Sequence, residues 1–103
     1  MKTYNKLVRD KIPEIIEADG RKCDVRIVSN KDELYYLLAK KLHEEVDEFI
    51  EDKNLEELAD IMEVLFGLAK NLGYSEEDLL NKREQKRQER GGFSEGVVLE
   101  KVD

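Results

Sequence analysis

The sequence predicts an all-α protein, an antiparallel helical bundle completed by oligomerisation, with short peripheral β-strands near residues 25–28 and 97–100. Two long segments carry apolar side chains at helical spacing: Leu34, Leu38, Leu42, Val46 and Phe49 in one, and Leu58, Ile61, Met62, Leu65, Ala69 and Leu72 in the other. Charged residues make up 42% of the chain against 40% apolar, with a single Pro, which suits helices with charged outer faces. At 103 residues there is room for one modest core, so residues 1–103 are read as a single domain.

Pro13 stands where a first helical turn would begin, followed by Ile15, Ile16 and Ala18, and Gly20 supplies a stop; a short helix is expected over roughly 12–19. Cys23 to Val28 alternates apolar and charged side chains, the period of a strand. Asn30 is placed to cap a long helix, with Glu33 as the second half of a capping box, and this helix should run to about Glu51. Its apolar sector contains Glu45, with Glu48 on the edge and Asp47 on the far side.

A second long helix is expected from near Leu55 to Gly73, with Glu57, Asp60 and Val64 in a row beside its apolar stripe. The short break at 52–54 implies that the two helices pack antiparallel and can set their acids opposite one another. Ser75 to Asp78 reads as a capping box opening a last helix, which Gly91-Gly92 ends. Arg83, Lys86 and Arg90 share one face of it, beside Lys82 and Arg87. Val97 to Leu99 is expected as a closing strand that could pair with Val25 to Val28.

The formal net charge of -7 argues against nucleic-acid polymers and anionic membranes as partners. The opening residues lack the apolar region of a signal peptide, and no apolar run is long enough to span a bilayer, so a cytoplasmic location is expected. Cys23 stands alone, which leaves no disulfide framework and no thiolate metal site.

Chemistry is expected where acids sit on faces that should be buried. Glu45, Glu48, Glu57 and Asp60 would face one another across two helices, and like charges about 5–6 Å apart repel by about 3 kcal/mol per pair at an effective dielectric near 20. Either some of them keep a proton or a cation compensates them. Oxygen-only ligands favour hard ions, Mg²⁺ first and Mn²⁺ second. Iron-carboxylate bundles place Glu-x-x-His on two helices, whereas His43 is the only histidine here and precedes the acids. A metal beside the basic face of the last helix points to phosphate chemistry, with Arg83, Lys86, Arg87 and Arg90 gripping a polyphosphate. The same residues also fit an ordinary solvated helix, and the acids an ordinary acidic surface.

Glu44-Glu45-Val46-Asp47-Glu48 followed by Glu57-Leu58-Ala59-Asp60 resembles the EExxE…ExxD signature of the all-α nucleoside triphosphate pyrophosphohydrolases, the MazG-like superfamily. The opening Tyr4 to Pro13 and the closing Lys86 to Phe93 look like the two ends of its small stand-alone members, labelled phosphoribosyl-ATP pyrophosphohydrolase-like, so the resemblance spans nearly the whole chain. It implies Mg²⁺-dependent cleavage between the α and β phosphates of a nucleoside triphosphate, giving a monophosphate and pyrophosphate, with house-cleaning of non-standard nucleotides as one use. By the same resemblance Glu45, Glu48, Glu57 and Asp60 match the metal ligands. Glu44, Glu45 and Glu48 form the catalytic set, in which Glu44 would position water. Lys86, Arg87 and Arg90 match the phosphate-binding basic stretch.

Lys6, Arg9 and Lys11 would contact the nucleotide, or Arg9 and Asp10 would form an ion pair that locks the segment over the bundle. A homodimer or homotetramer is expected, because two long amphipathic helices and a short third cannot cover their own stripes. Phosphoribosyl-ATP pyrophosphatase of histidine biosynthesis and a non-catalytic helical interaction module are the alternatives.

Overall fold

The structure, a computed structural model, describes residues 4–103. It is all-helical, with α1 (Ile12–Ala18), α2 (Lys31–Asp52), α3 (Leu55–Asn71) and α4 (Glu76–Arg90) in chain order. Each boundary has a local cause. Pro13 lies in the first turn of α1. The Asn30 side chain accepts from the backbone N–H groups of Asp32 (2.8 Å) and Glu33 (3.0 Å) to start α2, and Asn54 accepts from Glu57 (2.9 Å) to start α3. Ser75 and Asp78 form the expected capping box, with bonds of 3.0 and 2.9 Å. The box expected at Asn30 is half made. Both carboxylate oxygens of Glu33 instead accept from the Arg26 guanidinium, at 3.2 and 2.8 Å, a bidentate pair that outcompetes a single backbone donor.

α2 and α3 form the body of the molecule. Only Lys53 and Asn54 separate them, and Lys53 takes a left-handed conformation (φ 52°) that reverses the chain. At the far end Asn71 Nδ2 donates to the Lys31 carbonyl at 3.1 Å, so the pair runs antiparallel along its full length. Leu38, Val64 and Ala69 are the buried apolar residues among those described. Gly67 lets the helices close: a Cβ there would stand 3.0 Å from Leu38 Cδ2. α4 packs on α3 alone, and α1 packs on none of the other helices. No helix among the described residues is long and apolar enough to cross a membrane.

Two expectations are corrected. Residues 25–28 and 97–100 form no strand; Val25, Ile27, Val97, Val98 and Leu99 are exposed. An alternating segment needs a neighbour to hydrogen-bond, and among the described residues neither segment has one. Second, α3 turns only part of its expected stripe inward, with Ala69 buried and Ile61 half-buried. The row containing Glu57, Asp60 and Val64 faces inward, while Leu58, Met62, Leu65 and Leu72, expected in the core, stay exposed. α3 carries two adjacent apolar sectors, and one partner helix can cover only one of them.

Candidate metal centre

Because α2 and α3 are antiparallel from a two-residue turn, Glu45 and Glu48, within two turns of the end of α2, lie level with Glu57 and Asp60 near the start of α3. Two groups of carboxylates result, each with ligand atoms within 4.8 Å of one another: Glu44, Glu45 and Glu48, and Glu45, Glu57 and Asp60. Glu45 belongs to both. It is buried, at 5% exposure, as its central place in the α2 sector requires, whereas Glu48 is exposed at the rim. Glu44, Glu57 and Asp60 are half-buried.

Electrostatics mark the same residues. Burial pushes the Glu45 carboxyl above its ordinary value; Lys41 pulls it back, and Glu48 and Asp60 push it further up. Desolvation also raises Glu57, helped by Glu48, Asp60 and Glu45. Among the described residues, Glu45 Oε2 and Glu57 Oε2 are buried with no hydrogen-bond partner. A buried acceptor without a donor is unfavourable, and two of them in one carboxylate cluster are what a hard cation would satisfy. On this observation the residues fit Mg²⁺ or Mn²⁺, held by Glu45, Glu57 and Asp60 with Glu48 at the edge.

Three cations already touch the cluster. Lys41 Nζ, one turn before the acids on α2 and largely buried, lies 3.2 Å from Glu45 Oε1 and 3.6 Å from Glu44 Oε1. Lys41 was not among the residues expected from the sequence, although its i,i+3 and i,i+4 spacing to the two acids was there to read. Lys6 Nζ reaches Glu44 Oε1 at 3.3 Å, and the Arg9 guanidinium reaches Asp60 Oδ1 at 2.6 Å. The amino-terminal segment is thus tied over the α2–α3 pair, with Asp60 and not Asp10 as the partner of Arg9. Lys11 is exposed at the start of α1 and touches none of the acids.

The basic face of α4 is not brought to the acids. Its polar contacts stay within the helix: Arg83 with Glu84 (3.8 Å), Lys82 with Gln85 (3.0 Å), Gln85 with Glu89 (3.2 Å) and Gln88 with Glu84 (2.9 Å). Lys86, Arg87 and Arg90 are exposed. The groove between the amino-terminal segment and α2, lined by Lys6, Leu37, Lys41 and Glu44 among others, encloses about 20 Å³. That is room for one water and not for a base. A larger open cleft of about 440 Å³ lies along α1, lined by Ile15, Ile16 and Arg21 among others, and carries none of the cluster acids. No protein-family model, curated protein or solved structure matches this chain.

Proposed function

We propose that the chain is a divalent-metal-dependent hydrolase of nucleoside triphosphates that releases a monophosphate and pyrophosphate. The observation that carries this reading is Glu45: a buried carboxylate with one orphaned oxygen, shared between two acidic groups that helix packing forces together. A structural role would favour an apolar residue at that position. The resemblance of the acidic spacing to the MazG-like pyrophosphohydrolases supports the same chemistry.

In this reading Glu45, Glu48, Glu57 and Asp60 hold the ion, with Mg²⁺ or Mn²⁺ as the cofactor. When bound, it would neutralise phosphate charge and lower the pKa of a coordinated water. Hydrolysis joins the water oxygen to phosphorus and breaks the α–β bridging P–O bond, and a carboxylate must take the water proton. Glu44 is half-buried at the rim and suits that task. Lys41, Lys6 and Arg9 put positive charge beside the acids, where phosphate oxygens would lie. The chain works as a homodimer or homotetramer: the groove beside Glu44 has room for one water and not for a base, and among the described residues no salt bridge joins the α4 cations Arg83, Lys86, Arg87 and Arg90 to an acid outside α4. Those cations are the phosphate grip that assembly would bring to the acids.

The test is pyrophosphate release from a panel of canonical, modified and phosphoribosyl-substituted triphosphates, with and without Mg²⁺, with the monophosphate identified. Turnover should require Mg²⁺ and fall in Asp60→Ala by more than the about 10–100-fold that loss of a partner outside the ligand set brings. A folded protein that turns over nothing in the panel would overturn the reading in favour of a binding module.

A further inference from the structure

The segment from Tyr4 to Lys11 is held on the α2–α3 pair through Asp60, assigned to the metal, and through Glu44 beside it. Arg9 lies on Asp60 at 2.6 Å, and Lys6 on Glu44 at 3.3 Å. Little else fixes it. Among the described residues no backbone hydrogen bond joins residues 4–8 to a helix, and Tyr4 and Val8 are exposed, leaving Leu7 as the half-buried apolar contact. Asn5 adopts a left-handed conformation (φ 47°) just before Lys6. Asparagine takes that conformation at little cost, so the turn itself does not fasten the segment. The segment is therefore fastened by charge, at two points, to a cluster with a second use.

We propose that this segment is a latch which a divalent cation opens. The inference rests on the metal reading above. A guanidinium 2.6 Å from Asp60 Oδ1 would stand at most about 5 Å from an ion that shared that oxygen at 2.0–2.6 Å. Two cations at that separation repel, and the one held by half-exposed ion pairs gives way. Lys41 is less free to withdraw, because its side chain is 18% exposed against 52% for Arg9. Loading the acids thus weakens the hold on Arg9, and the segment lifts from the cluster, which frees Arg9 and Lys6 to turn to the phosphate oxygens of a polyphosphate. Linkage makes the effect reciprocal: if the ion loosens the latch, the latch lowers affinity for the ion by the same factor.

The experiment uses the full chain and Mn²⁺ alone, without nucleotide. Calorimetric titration gives Mn²⁺ affinity for the wild type, Arg9→Gln and Lys6→Gln. In parallel, brief trypsin treatment of the wild type with and without Mn²⁺ reads the rate of cleavage after Lys6 and Arg9 by mass spectrometry. Lys101 in the exposed tail is the internal control for the protease itself. The expected result is a several-fold faster cleavage after Arg9 with Mn²⁺, at an unchanged rate after Lys101. Mn²⁺ binding should tighten about two- to fivefold in Arg9→Gln, the size of an exposed ion pair. Mn²⁺ binding with no change in cleavage, or affinity unchanged or weakened in Arg9→Gln, overturns the latch and leaves the metal site standing. Failure of the folded wild type to bind Mn²⁺ overturns both. The cleavage measurement needs no variant, so it decides the matter even if Arg9→Gln does not fold.

Discussion

Glu45 is the residue on which the site and the stability of the metal-free chain both depend. Its carboxyl and that of Glu57 are raised above their ordinary value of 4.5. Below that pH both the folded and unfolded chains hold these protons. As the pH rises through 4.5 the unfolded chain releases them first, so stability falls until the raised folded values are passed. Glu33, lowered by Arg26, has the opposite sign and loses its contribution as pH falls below 4.5. The difference between wild type and Glu45→Gln isolates the cluster. In thermal melts without metal, Glu45→Gln should flatten the decline in stability between pH 4.5 and 7. The same variant should gain nothing from Mg²⁺ at pH 7, where the wild type gains most, because the ion takes the place of protons. An unchanged pH slope in Glu45→Gln would show that the Glu45 carboxyl is not raised in the folded chain. Glu45 was legible in the sequence because a wheel places it in the middle of the α2 apolar sector. The exposure of Glu48 was not, because one sector's edge is decided by how far the facing helix reaches.

At the scale of elements, what could be read was whatever a few adjacent residues decide. The four helices begin and end at caps and breakers that stand in the sequence: Pro13, Asn30, Asn54, Ser75 and Gly91. Removing one such cap has a bounded effect. Asn54→Ala should lower stability by about 1 kcal/mol, within the usual range of 0.5–2, measured by urea unfolding. A larger loss would mean that the turn before α3 also positions Glu57. Leu38→Ala should cost about 2–5 kcal/mol, because Leu38 is one of three buried apolar side chains among those described and lies against Gly67. Long-range choices were not legible. Cys23 to Val28 has the alternation of a strand, yet alternation states a preference and supplies no partner. In α3 both apolar sectors are genuine, and nothing local says which of them α2 will cover.

At the scale of the whole molecule the unclaimed sector has a consequence. A folded monomer of 12.0 kDa should expose about 6,000 Å², and this chain exposes 9645 Å². Its radius of gyration is 17.7 Å where about 13 Å is usual for this length, and it measures 60 × 31 × 23 Å. The excess, roughly 3,600 Å², exceeds the about 1,000–2,500 Å² that each partner of an obligate dimer buries, so one such interface can be accommodated with surface to spare. Leu55, Leu58, Met62, Leu65 and Leu72 along α3 form a ridge that contributes to it, and all five are exposed. An identical ridge on a second copy is self-complementary in chemistry and length, as a two-fold interface requires. The mass in solution should therefore be a multiple of 12.0 kDa by light scattering. The double variant Leu58→Glu, Leu65→Glu puts like charges into that interface and should shift the mass toward a single chain and lower the melting temperature together. Triphosphate hydrolysis should fall with it if the α4 cations act on the acids of the partner copy. A wild type that is monomeric and melts cooperatively would mean that the ridge is tolerated in water, and the phosphate grip would then have to come from Lys6, Arg9 and Lys41 within one chain.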